Sequence, residues 1–154
     1  MVSQPLNAVL IGLGMVAETH LRALADISDM IRLHGIFART LDQVTVFADK
    51  AEEICGNRPR CYVSLPQITA DPELDIAIIA TPPNGRSDVV TALCAAGLHI
   101  LMEKPIERDT ARASALVEQC RDAGVKLAII FQHRVRDVSV QLKQMVDNGL
   151  FGEL

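Results

Sequence analysis

The segment Leu6-Asn7-Ala8-Val9-Leu10-Ile11-Gly12-Leu13-Gly14-Met15-Val16-Ala17 decides how this chain folds. The apolar run between Pro5 and Gly12 predicts a buried strand. From Met15 to Asp26 the period changes, with Ala17, Leu21 and Leu24 recurring at helical spacing. Gly12, Gly14 and Ala17 between them match G-x-G-x-x-[GA], a weak pattern alone but here set between strand and helix, the context it requires. Gly12 suits the tight turn, Gly14 lets the backbone approach a pyrophosphate, and Ala17 keeps the helix close to the strand. Unpaired N–H groups at the helix start, around Met15 and Val16, supply donors and a favourable dipole end for phosphates. The plainer alternative is a pair of turn glycines in an unrelated α/β protein. No G-K-[ST] occurs, so a mononucleotide kinase or NTPase has little support.

Outward from this turn, strand-like and helix-like stretches alternate. Strands are expected at Ile31–Ala38, Cys61–Val63, Asp75–Ala80, His99–Met102 and Lys126–Phe131. Between them, Thr40 and Gln43 have the spacing of a capping box ahead of a helix with Val44, Phe47, Ala51 and Ile54 on its apolar face. Ser64–Pro72 reads as a short helix or turn. Val89, Leu93 and Ala96 mark the next helical face, and Ala113, Leu116, Val117 and Cys120 the one after. An amphipathic stretch, Val135–Val146, follows, and Gly149–Leu154 enters what reads as another strand. Strands this apolar need cover on both faces. The expected fold is therefore α/β, a doubly wound parallel sheet of Rossmann type with strand order 3-2-1-4-5-6.

Composition agrees and narrows the partners. The 154 residues are 49% hydrophobic but only 3% aromatic, so packing rests on Val, Ile, Leu and Ala. The net charge of -4 and scattered basic residues offer no footprint for nucleic acid. No apolar run reaches membrane-span length and no secretory signal opens the chain, so a cytoplasmic setting is expected. Cys55, Cys61, Cys94 and Cys120 form no CxxC and read as partly buried reduced thiols. No metal site is expected.

The second strand ends Phe37-Ala38-Arg39-Thr40, where an Asp or Glu would accept bonds from both ribose hydroxyls. Ala38 offers no acceptor, Arg39 a cationic fork, and Thr40 a hydroxyl, which favours NADP mildly over NAD. Arg39 stacked on adenine or simply solvated, with NAD held by backbone groups, is the other reading. Asp42 is read as a residue of the next helix's first turn.

Two further stretches, Ala80-Thr81-Pro82-Pro83-Asn84 and Gly97-Leu98-His99-Ile100-Leu101-Met102-Glu103-Lys104-Pro105, together with the glycine turn, carry a resemblance. The chain resembles the glucose–fructose oxidoreductase / inositol dehydrogenase / rhizopine catabolism family over essentially its whole length, since Phe131-Gln132-His133-Arg134 and the ending Gly149–Leu154 also look like family signatures. The resemblance implies that Thr81, Pro82 and Asn84 line the cofactor toward its nicotinamide half and that Glu103 helps hold that region. It makes Lys104 the lysine that contacts substrate and assists proton transfer. Gln132 falls where an Asn or similar side chain approaches nicotinamide, and Arg134 matches the arginine that begins the following helix. His133, beside it, is a candidate substrate contact. Without the resemblance, Lys104 reads as a solvated end-of-strand residue paired with Glu103. Arg86 departs from the family, standing where many relatives have His. It is expected to bind phosphate or a carboxylate, or to sit in a first helical turn. His20 reads as structural, and His34 and His99 as poor catalytic candidates.

Residues 1–148 are therefore expected to form an NAD(P)-binding domain, and 149–154 to begin a carboxyl-terminal α/β substrate domain that lies outside this sequence. The resemblance implies hydride transfer between the cofactor and a secondary alcohol or carbonyl of a sugar, polyol or related metabolite. Any homo-oligomer would form mainly through that further domain. A non-enzymatic nucleotide-binding or regulatory module is the competing reading.

Overall fold

The computed structural model describes residues 4–153. Six strands, β1 (Leu6–Ile11), β2 (Ile31–Phe37), β3 (Arg60–Tyr62), β4 (Ile76–Ile79), β5 (His99–Glu103) and β6 (Leu127–Ile130), form one sheet in the order β3-β2-β1-β4-β5-β6. Every neighbouring pair is parallel, as expected from the runs of apolar residues. The connecting helices are α1 (Ala17–Asp26), α2 (Leu41–Cys55), α3 (Leu65–Thr69), α4 (Ser87–Ala95) and α5 (Thr110–Asp122), and α6 (Asp137–Asp147) follows β6.

Alternation along β1 divides the core. Ala8 and Leu10 face α1 and α2 with Leu21, Leu33, Val44 and Ala48, whereas Val9 and Ile11 face the other layer with Ile68, Val90, Leu93 and Leu116. Both layers are buried because each crossover helix returns over the strands that it joins. The chain reverses its order at the β1/β4 pair, so the residues after these two strands flank a crevice.

Several local expectations change. Thr40 precedes α2 but its side chain caps nothing, so the Thr40–Gln43 box is not made. The amide-capping glutamine is instead Gln67, whose Oε1 accepts from Val63 N–H at 2.8 Å and Ser64 N–H at 3.2 Å at the start of α3. Ala96 and Val117 are exposed. α4 ends at Ala95, and Val117 lies one helical step away from the inward pair Leu116 and Cys120. Cys61 is exposed because Tyr62 takes the inward slot of the short strand β3. Residues 149–151 turn where a strand was expected, Gly149 and Gly152 having φ of 69° and 75°. Leu154, the last residue of that expected strand, lies outside the described residues.

A polar cluster secures the β3 edge. Asp71 accepts bonds from the Tyr62 hydroxyl at 2.6 Å, Arg60 Nη1 at 2.6 Å and His34 Nε2 at 3.2 Å, and its other oxygen accepts from Glu73 N–H at 3.0 Å. Burial alone would raise the Asp71 carboxyl, but these donors outweigh it and hold it well below the usual carboxylate range. His34, Asp71 and Glu73 lie close enough to suggest metal ligands, yet Arg60 already engages both carboxylates. The cluster is a structural clamp.

Candidate dinucleotide-binding site

The glycine turn is shaped by contact with the loop after β4. Gly12 has φ of 98°, and a Cβ there would lie 2.8 Å from Thr81 Cγ2 and 2.9 Å from Thr81 N. Only glycine lets the β1 and β4 loops meet this closely. A Cβ on Gly14 would meet nothing within 4 Å, and its φ is not positive. The two glycines thus do different things: Gly12 closes the turn against protein, and Gly14 leaves space beside the start of α1. Val16 contributes no side-chain cap to α1, so the helix start keeps unpaired donors.

A cleft of about 980 Å³ opens at this point. Among the residues expected to bind a cofactor, Gly12, Gly14, Ala38, Arg39, Thr81, Pro82 and Asn84 line it. The Met15 side chain does not; it is 98% exposed. Val16 and Thr40 also lie outside the lining. The structure adds Asp42, Gln43, Val46, Phe47 and Lys50, one side of α2, to the wall. Sequence reading gave Asp42 to the first turn of α2, Gln43 to a capping box and Phe47 to the core face, and it passed over Val46 and Lys50. Arg39 makes no ion pair among the described residues, whereas Lys50 is paired with Glu18 of α1.

One wall atom is unusual. Thr81 Oγ1 is buried and has no hydrogen-bond partner among the described residues. An orphaned hydroxyl of this kind is costly unless something else bonds it, and it belongs to a residue that lines the cleft. Together with the open space at Gly14, it fits the residues present to a dinucleotide.

The remaining candidates stand further along the same edge of the sheet. Lys104 follows β5 and is exposed, with no ion pair among the described residues. Its expected partner is engaged elsewhere, because Glu103 Oε1 lies 3.1 Å from His20 Nε2 of α1. Glu103 therefore ties the end of β5 to α1, and His20 is structural as expected. Gln132, His133 and Arg134 occupy an exposed 3-10 turn after β6, outside the cleft. His34 belongs to the Asp71 clamp, and His99 Nδ1 accepts from Lys126 N–H at 3.2 Å.

Arg86 decides between the two readings of it: it stands at the start of α4 and is no ligand contact. Its side chain is only 2% exposed, so it is not available to bind a phosphate or a substrate carboxylate. The guanidinium instead bonds backbone carbonyls of the loops after β4 and β5. A charged residue after two prolines and a glycine gave no signal of burial.

Comparison with known proteins agrees with this architecture. The family model described as "Oxidoreductase family, NAD-binding Rossmann fold" matches residues 6–131. Inositol 2-dehydrogenase from Rhodococcus jostii is 28% identical over 155 residues, covering 99% of this chain and 40% of that protein. D-xylose 1-dehydrogenase (NADP(+)) 2 from Haloferax volcanii is 33% identical over 92 residues, 60% of this chain and 28% of that one. The WlbA dehydrogenase from Bordetella pertussis, solved with NADH and UDP-GlcNAcA, superposes with a TM-score of 0.87 at 25% identity, covering 99% of this chain and 44% of that chain. The chain thus spans less than half the length of these relatives. A doubly wound sheet, a glycine turn fitted against Thr81 and a match over residues 6–131 lead to one assignment: the chain belongs to the oxidoreductase family with an NAD-binding Rossmann fold that groups glucose–fructose oxidoreductase with inositol dehydrogenase.

Proposed function

We propose that this chain is the nucleotide-binding part of an NAD(P)-dependent oxidoreductase acting on a secondary alcohol or carbonyl of a sugar, polyol or related metabolite. On this reading residues 1–148 are the NAD(P)-binding domain, and the turn at 149–154 leads into a substrate domain. The observation that carries the proposal is the unpartnered hydroxyl of Thr81, a residue that lines the cleft together with Gly12 and Gly14.

Amides near Gly14, Met15 and Val16 hold the pyrophosphate, and Thr81, Pro82 and Asn84 flank the chain's path toward β5. Arg39 is the one cation of the lining with no ion pair among the described residues, which favours a 2′-phosphate and hence NADP. Glu103 fixes the end of β5 through His20, and Gln132 lies at the nicotinamide side. When bound, the cofactor supplies the hydride chemistry. Lys104, exposed at the end of β5, donates a proton to a carbonyl oxygen or stabilises the alkoxide oxygen of the reacting alcohol. His133 and Arg134 are placed on the substrate side.

The test is titration with NADPH and NADH, followed by their own emission, for the parent and Thr81→Val. The parent is expected to bind NADPH more tightly than NADH, and the variant to bind both less tightly. Equal binding by Thr81→Val would remove the observation on which the proposal rests. Tight binding without turnover in the full-length protein would favour a regulatory module.

A further inference from the structure

Among the largest fully buried side chains of the described residues, one is charged: Arg86. Its position is built, because its N–H groups are taken up by four carbonyls from two loops. Nε–H donates to Thr81 O at 3.0 Å and Nη2 to the same oxygen at 2.6 Å. Nη1 donates to Glu103 O at 2.5 Å, to Pro105 O, and at 3.4 Å to Ile106 O. No carboxylate pairs with it among the described residues. Burial pushes the guanidinium below its usual value, but arginine stays charged across the working pH range.

The pattern of acceptors is informative. Glu103 O and Pro105 O stand on either side of Lys104, so Arg86 grips the backbone immediately before and after that residue. Its other edge holds Thr81, whose hydroxyl is the orphan of the cleft. The planar fork spans the ends of β4 and β5, a reach that the point charge of a lysine does not reproduce. Retaining a buried cation solely for stability is a poor bargain, since an apolar replacement with paired neighbours is often as stable.

We propose that Arg86 is a positioning residue: it fixes the Glu103–Ile106 segment relative to Thr81, and hydride transfer assisted by Lys104 requires that fixed placement. This rests on the functional reading above. Arg86 touches neither cofactor nor substrate, so its removal lowers turnover more than cofactor affinity. A loosened Lys104 costs about 10- to 100-fold in rate, the scale expected for misplacing a reacting group by about 1 Å.

The experiment uses the full-length protein with Arg86→Lys, Arg86→Met and Arg86→Gly. Hydrogen exchange of the 103–107 segment is measured without ligand, NADPH affinity by its emission, and single-turnover reduction of NADP with myo-inositol or D-xylose as probe alcohols. The expected result is faster exchange confined to the loops after β4 and β5, NADPH affinity within about threefold of the parent, and the loss of rate given above. Millimolar guanidinium chloride, but not sodium chloride, is expected to restore slow exchange and turnover to Arg86→Gly, which a merely unfolded variant would not allow. Unchanged exchange overturns the proposal, as does faster exchange with parental turnover. If the parent neither binds NADPH nor oxidises either alcohol, the functional reading fails. The exchange and guanidinium arms then still decide whether Arg86 fixes the Lys104 segment. If the parent binds NADPH but oxidises neither alcohol, the hydride-transfer half of the proposal is lost.

Discussion

Replacing Gly12 or Gly14 by alanine adds the same methyl group to the same turn, yet the two changes are expected to act in opposite ways. At Gly12 the new Cβ meets Thr81 Cγ2 at 2.8 Å, Thr81 N at 2.9 Å and Ala80 C at 3.0 Å. Two of these atoms are backbone, so relief requires β1 and β4 to separate. Forcing alanine into a left-handed conformation at φ of 98° costs about 1–2 kcal/mol, and overpacking adds about 1–3 kcal/mol. Gly12→Ala is therefore expected to lose about 2–5 kcal/mol of stability, a large share of what a domain of this size has. At Gly14 the methyl meets nothing, and reduced freedom of the unfolded chain stabilises by about 0.4–1 kcal/mol. That methyl instead occupies the space assigned to the pyrophosphate, so Gly14→Ala is expected to weaken NADPH binding at least about tenfold, or about 1.4 kcal/mol. Urea unfolding followed by far-ultraviolet circular dichroism separates the first effect, and NADPH emission the second; the chain has no Trp to interfere. Comparable destabilisation by both alanines would refute the division of labour, and parental NADPH affinity in Gly14→Ala would remove the phosphate from that space.

Arg39→Ala is expected to weaken NADP binding about tenfold while sparing NAD, as for one exposed charge-assisted contact; equal losses in parallel titrations would reject the 2′-phosphate contact. In the full-length protein, Lys104→Met is expected to keep cofactor affinity and lower single-turnover hydride transfer by about 10²–10⁴-fold; near-parental turnover would exclude proton assistance by Lys104. Asp71→Asn should destabilise the chain at neutral pH by about 2–4 kcal/mol, since it weakens a buried carboxylate bonded to four donors. The folded Asp71 carboxyl is held below its unfolded value, so its contribution is full above the unfolded pKa of about 3.9 and fades as pH falls toward the lowered one. Urea midpoints of parent and variant should accordingly converge below about pH 4; a constant gap down to strong acid would contradict the assignment.

The sheet order was legible because the continuous apolar runs of β1, β2, β4 and β5 and the helical periods between them are local signals. The glycine turn was legible for the same reason, its function being set by backbone geometry within a few residues. What escaped the sequence was relational. The fit of Gly12 against Thr81 links residues far apart in the chain, and the wall contributed by Asp42, Val46 and Lys50 follows from how α2 leans over β2. Arg86 was left open between a ligand contact and a first helical turn because composition makes an arginine after Pro-Pro-Asn-Gly look solvent-facing. Only the carbonyls converging from β4 and β5 explain its burial. Capping failed in a similar way at Thr40, where spacing was right but the side chain makes no cap.

The reversal of strand order at β1/β4 sets a timetable for assembly. β1, β2 and β3 and the two long crossovers between them are complete by Tyr62, so this half can condense during synthesis before its neighbour exists. The pairing of Ala8 with Ile76 then closes a loop of almost seventy residues, a costly long-range step. Gly12 gains its counterpart only with Thr81, and the guanidinium of Arg86 its last acceptor only with Ile106. The nucleotide cleft is thus expected to mature late, and its two walls to be joined by the slowest contacts of the fold. Nascent chains stalled to expose residues up to about 70 should resist protease over β1–β3 yet bind no NADPH, and NADPH capture should appear only after β5 has left the ribosome.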